Sequence, residues 1–310
     1  MKLLLLTCLM FFNAIADKDF KEAMKNYRTG NYKQALDLFK KSEEPKSLFY
    51  IGAMYEKGFY VKKDINKALV YYKESANKYG LKTSRHNYAH ILFEQKKYDK
   101  ALEQFELNKD FMMSQYFIGK IYYYGLGVKE DEDKGLKYLK MAADKGYDYA
   151  QLELVNIYFN AGYLMANAPE IAFKYAQKIV KKENNNKRNF ALAYLVYGLK
   201  MASDNNFEEA LPKIISAANA GYRGAYMALF HPAYISLALH YEPELIKLAD
   251  ENVFSAIYLL SLNYLKISNE CDSATKLLKG KNLVELASDN DQIIKIAKNI
   301  ESLYIKKCGK

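Results

Sequence analysis

The sequence predicts an all-α protein, a right-handed superhelix of about eight helical hairpins closed by a C-terminal capping helix. Three observations predict it. The stretch IGAMYEKGFYVKKDINKALVYYKESA, residues 51–76, lies without a gap over IGKIYYYGLGVKEDEDKGLKYLKMAA, residues 118–143, at an offset of 67. A small residue recurs in register at Ala35, Ala68, Ala101, Gly135, Ala172, Ala210 and Ala274, with a blurred unit near Leu245, and its first steps are 33, 33 and 34 residues. Each unit carries two amphipathic helical patterns whose apolar stripes one hairpin could not bury alone, so neighbouring hairpins must stack.

The chain begins MKLLLLTCLMFFNAIAD, with one cation at Lys2, an apolar run and a small-residue site ending at Ala16. That is the pattern of a secretory signal peptide over residues 1–16, cleaved between Ala16 and Asp17. Cys8 as a lipid attachment site is disfavoured, because it would cut the apolar run short. No later run approaches the roughly 18 apolar residues of a membrane span, so the expected product is exported, periplasmic or secreted, with no transmembrane segment. Its formal charge falls only from +10 to +9 when Lys2 leaves, and in an exported protein this excess points to acidic partners and not to nucleic acid.

Residues 17–222 then read as clear repeats, and residues 223–310 as divergent helical repeats with a cap. In the first helix of a unit, Gly52 or Gly119 removes a side chain where the next helix crosses, and Tyr55 or Tyr122 fills the groove one turn on. Gly58 and Gly125 stand where a left-handed C-cap is wanted, and Gly127 is a second loop glycine. Asp64 and Asp131 precede the second helices as N-caps, and Ala68 and Gly135 open the packed faces that follow. In the divergent part, HPAYISLALHYEPE interrupts the pattern with Pro232 and Pro243. The two cysteines that remain after export, Cys271 and Cys308, make an even count in an oxidising compartment, which points to one disulfide; two buried free thiols are the alternative.

Residues 113–147, with Gly119, Tyr122, Gly125, Gly127, Val128, Asp131, Lys134, Tyr138, Ala142, Ala143 and Gly146, closely resemble the Sel-one-like repeat, a branch of the tetratricopeptide superfamily. Residues 47–80 resemble it nearly as well, with Tyr60 in place of the second loop glycine, while 20–45 and 84–110 look like plain tetratricopeptide units. The resemblance implies a binding scaffold that recognises a peptide or protein partner on its concave surface, and for exported members envelope assembly, secretion or host interaction. It also raises an enzyme, because some cysteine-rich secreted members are described as penicillin-binding or β-lactamase-like, and a carbohydrate-binding solenoid built on the 29 tyrosines is a third reading.

Other motifs carry less. The acid run Glu130-Asp131-Glu132-Asp133 lacks the glycine and glutamate of a calcium loop, and in the aligned repeat only the capping aspartate persists. GLGVKE lacks the third glycine and the preceding strand of a dinucleotide fingerprint. Ser75–Lys78 and Ser273–Lys276 satisfy S-x-x-K, and Ser203-Asp204-Asn205 and Ser288-Asp289-Asn290 satisfy S-D-N, but the nearest approach to K-T-G is Lys82-Thr83-Ser84. His86 and His90 share a helix face, and His231, His240 and Glu242 form a loose trio, without the glutamate-bearing zinc motif. The sequence therefore implies no metal, no cofactor and no catalytic residue.

Overall fold

The structure, a computed structural model, describes residues 18–161, 167–182, 189–286 and 291–309. The expected signal segment with Lys2, Cys8, Ala16 and Asp17 lies outside the described residues, as does Ser288-Asp289-Asn290. Every regular element among the described residues is helical, and they pack as two compact units, one through Tyr147 and the other from Asp148. That boundary falls between two hairpins inside the 17–222 repeat region.

The first unit runs α1 (18–28), α2 (Tyr32–Lys41), α3 (Lys46–Lys57), α4 (Ile65–Tyr79), α5 (Lys82–Glu94), α6 (Tyr98–Glu106), α7 (Met112–Tyr123) and α8 (Glu132–Asp144). Each helix packs on the next from α2 onward. One core cluster gathers Ala35, Leu36 and Phe39 of α2 with Ile51 and Met54 of α3; another gathers Leu102 and Phe105 of α6 with Phe117, Ile118 and Ile121 of α7. The helix faces that period 3.6 marks as apolar are thus buried between hairpins as well as within them.

The second unit contains α9 (Asp148–Ala161), α10 (Ala168–Val180), α11 (Ala191–Ser203), α12 (Phe207–Asn219), the short α13 (Arg223–Ala228), α14 (Glu242–Asp250), α15 (Phe254–Leu262), α16 (Cys271–Leu278), α17 (Leu283–Leu286) and α18 (Asp291–Cys308). Here α9, α11, α13 and α15 touch one another in succession, so the first helices of these hairpins form a row. A π-helical turn, Asn263–Ser268, prolongs α15, and α18 packs on α15, α16 and α17 as a cap.

All eight register positions are buried: Ala35, Ala68, Ala101, Gly135, Ala172, Ala210 and Ala274, and Leu245 of the blurred unit. The two prolines of that unit act locally. Pro232 starts a 3-10 turn, and Pro243 sits in the first turn of α14, where a missing N–H removes no helical bond. What shortens this unit is its first helix, α13, whose continuation is two 3-10 turns, Pro232–Tyr234 and Ala238–Tyr241. A third proline, Pro212, lies inside α12 and withholds the N–H that Glu208 would accept from; the Tyr241 hydroxyl reaches that carbonyl at 3.4 Å instead.

Turns into the second helices other than α14 share one device. A residue with positive φ stands at Gly30, Gly58, Lys96, Gly125, Asn167, Asn205 and Asn269, reversing the chain in a single step.

Candidate binding surface

The joint between α7 and α8 is built from the motif glycines and the capping aspartate. Gly125 has φ +60° and Gly127 φ +69°, and a Cβ on Gly127 would lie 2.9 Å from the Cβ of Tyr98. Asp131 caps α8 by accepting from the Lys134 N–H at 2.9 Å, while its own N–H donates to the Tyr122 carbonyl at 2.9 Å. The joint of α3 and α4 repeats this: Gly58 caps α3 with φ +77°, and Asp64 accepts from the Lys67 N–H at 2.9 Å. Its own N–H donates to the Tyr55 carbonyl.

The helical glycines set how closely the axes approach. A Cβ on Gly52 would lie 3.0 Å from the Tyr72 ring; one on Gly119 would meet Leu139 Cγ at 2.7 Å; one on Gly135 would meet the Tyr123 backbone nitrogen at 2.6 Å. Tyr55 stacks on Tyr71 at 5.6 Å between centroids. Tyr122 donates from its hydroxyl to Glu106 at 3.0 Å and carries the Lys134 ammonium 3.6 Å above its ring. Related tyrosine–carboxylate bonds join Tyr72 to Glu56, Tyr197 to Glu209 and Tyr264 to Glu242. Burial and then the Glu209 hydrogen bond push the Tyr197 phenol up to about 12, so it remains a donor at neutral pH. The tyrosines of this set are helix–helix fasteners.

The candidate serine motifs, acids and histidines lie at separate places in the fold. Ser75 is fully buried, and its Oγ is 2.7 Å from the Ser84 Oγ, so the first S-x-x-K serine is occupied inside the fold. Ser273 donates to Glu270 at 3.0 Å and lines a cavity of about 400 Å³ with Lys276 and Tyr264. Ser203 donates to the Lys200 carbonyl, and Lys200 pairs with Asp204. Glu130, Asp131, Glu132 and Asp133 are exposed at the start of α8. His231 accepts from the Ala233 N–H, whereas Glu242 accepts from Tyr264, so the loose trio is pulled to different partners. Among the described residues no group of three His, Cys, Asp or Glu is placed to hold a metal ion.

His86 and His90 do lie together, with ring centroids 6.1 Å apart, but inside an aromatic pack. His86 is 7% exposed among Phe105, Phe111 and Phe117, with its Nδ1 3.4 Å from the Ser114 Oγ. Asn108 donates to that same hydroxyl at 3.1 Å. Burial, with a smaller contribution from His90, pulls the His86 pKa down to about 4. In the second unit Cys271 and Cys308 form a disulfide with Cα atoms 5.4 Å apart, tying α16 to the end of α18.

A family model for the Sel1 repeat matches residues 45–79 and 113–147. The chain carries Sel1 repeats. A putative sel1-like repeat-containing protein of Acanthamoeba polyphaga mimivirus is 29% identical over 116 residues, covering 37% of this chain; the chain spans about a fifth of that relative's length, 21%. Two solved structures share the fold at low identity. A protective antigen of uropathogenic Escherichia coli strains, displaying an SLR fold, matches with TM-score 0.57 and 15% identity, covering 96% of this chain and 68% of that one. A Sel1 repeat protein from Oxalobacter formigenes matches with TM-score 0.57 and 20% identity, covering 93% and 99%.

The two Sel1 repeats are therefore the α3–α4 and α7–α8 hairpins, and their motif residues are spent on turns and packing. One residue of this kind escaped the sequence pattern. Gly198 in α11 holds the place of Gly52 and Gly119, since a Cβ there would lie 2.6 Å from Ile214 Cγ1. Its spacing hides it: Gly198 precedes Ala210 by 12 residues, whereas Gly119 precedes Gly135 by 16.

Proposed function

We propose that the protein is an exported scaffold that binds a peptide or protein partner along the row of first helices. Sel1 repeats are generally protein-interaction scaffolds, and no helix among the described residues is long and apolar enough to cross a membrane. The observation that carries the reading is the row α9, α11, α13, in which every helix exposes large apolar side chains: Tyr149 at 47% and Phe159 at 37% on α9, Leu199 at 37% on α11 and Met227 at 58% on α13. Exposed apolar groups on successive stacked helices supply contact area that a fold has no internal use for. Export rests on the pattern of residues 1–16, and roles in envelope assembly, secretion or host interaction follow from export.

A photocrosslinking amino acid at Leu199 or Met227, in cells that make the native protein, is expected to trap a discrete partner band. The same group at Ile246, exposed on the second helix α14, is expected to trap none. Equal trapping at Ile246, or none anywhere, would sink the reading. N-terminal sequencing of the recovered protein is expected to begin at Asp17, and retention of Met1 would remove the export half of it.

A further inference from the structure

The groove between α1 and α3, about 570 Å³, is lined by Phe20, Lys21, Met24, Lys25, Arg28, Thr29, Lys46 and Tyr50. We propose that it docks an acidic segment of a partner protein that also carries apolar anchor residues. This rests on the scaffold reading and deepens it by naming one site and the chemistry of its occupant.

Charge comes first. Lys21, Lys25 and Arg28 stand at i, i+4 and i+7 on α1, about 6 Å and then about 4.5 Å apart along the axis. Lys46 enters from the opposite wall as the first residue of α3. No carboxylate lines the groove, and Lys25, Arg28 and Lys46 form no ion pair among the described residues. Lys46 is also on the wrong end of its helix. A helix N-terminus carries partial positive charge and favours acids, yet the first turn of α3 contains none, its N-cap, Pro45, offers no side-chain bond, and Glu43 and Glu44, which precede Pro45, do not line the groove. Cations facing one another across a helix N-terminus repel, and an anionic guest relieves that repulsion.

Shape selects among anionic guests. The floor is apolar and fixed: Phe20 packs against Phe39 at 5.9 Å and Tyr50 at 6.0 Å, and Tyr50 stacks on Phe39 at 5.1 Å. Met24 adds an adaptable thioether to the same lining. A concave apolar floor under a basic rim accepts individual side chains of a peptide, whereas a bilayer surface would meet only the rim. The volume is that of a pocket for a few side chains and not for a folded domain.

The test is fluorescence anisotropy of the purified protein with a labelled octapeptide, EELFEELE, and its counterpart with glutamine for every glutamate. The acidic peptide is expected to bind at least tenfold more tightly than the glutamine peptide, with the difference shrinking as salt is raised from 50 to 300 mM. Lys25→Glu with Arg28→Glu should weaken it at least thirtyfold. Lys62→Glu with Lys63→Glu, an equal charge change on the exposed α3–α4 joint, should leave it within twofold. Equal loss in both variants would reduce the binding to net charge and overturn the proposal. So would binding to phosphatidylglycerol vesicles without peptide binding, or a dimer that the Lys25/Arg28 variant abolishes. Because this assay reads α1 and α3 while the crosslinking reads α11 and α13, the two failures are distinguishable, and loss of the groove leaves the scaffold reading standing.

Discussion

Tyr60 and Gly127 occupy the same position of the two Sel1 joints, with φ of +64° and +69°. Glycine takes that conformation at no steric cost, while an L side chain is strained there by roughly 1–2 kcal/mol. Tyr60 is 57% exposed, so little buried area offsets the strain. Tyr60→Gly is therefore expected to stabilise the first unit by about 0.5–1 kcal/mol, the strain relieved being partly cancelled by the freer unfolded chain. The urea midpoint of the variant checks it, and an unchanged or lower midpoint contradicts it. The opposite exchange, Gly127→Tyr, should destabilise by more, because the Gly127 backbone also lies against Tyr98. The left-handed glycines and the capping aspartates were legible because spacing alone marks a turn. Gly198 was not, because it stands 12 residues before Ala210 where Gly119 stands 16 before Gly135, so the repeat alignment passes over it.

The histidine-bearing helix α5 shows why a face is not a site. Spacing places His86 and His90 together, but Phe105 arrives from α6 and Phe117 from α7, and these close over His86. The buried ring stays neutral, with a folded pKa of about 4 against the ordinary 6.5, because burial disfavours the charged form. Above pH 6.5 neither state binds the proton, and the contribution to stability is complete. As pH falls from 6.5 to 4 the unfolded chain takes up a proton that the native ring refuses, so stability drops, by about 3 kcal/mol at most. Below about pH 4 this loss is finished. Urea melts of the native protein and of His86→Phe, compared between pH 7 and 4.5, should show a steeper decline in the native protein. Parallel declines would contradict it, since carboxylate titration is common to both.

At the scale of the molecule, the C-terminal cap depends on crosslinks between distant segments. Cys271 and Cys308 are 37 residues apart in sequence, and Thr275 and Tyr304 add a hydroxyl contact of 2.8 Å between the same two helices. Closing a loop of that length stabilises by about 3–4 kcal/mol, chiefly by restricting the unfolded chain. The double substitution Cys271→Ser with Cys308→Ser should lower the unfolding free energy of the second unit by about that amount and make α18 an early site of proteolysis. A reducing agent should do the same to the native protein and nothing further to the variant. An unchanged urea transition and cleavage pattern would show that α18 is held by packing alone.

Period and turn chemistry by themselves determined the helical hairpins, the register from Ala35 to Ala274 and the two Sel1 repeats, because each depends on residues within one unit. Even the unit around Leu245 kept its register, since burial of that position in α14 does not require the first helix of its hairpin to be long. Only the tertiary structure decided that the packing divides at Tyr147, that Ser75 is closed off by Ser84, and that His86 is enclosed by phenylalanines. It alone decided that the cations of α1 meet Lys46 of α3 across an aromatic floor. Each of these joins side chains from different helices, and a local pattern carries no information about which distant residue will stand opposite.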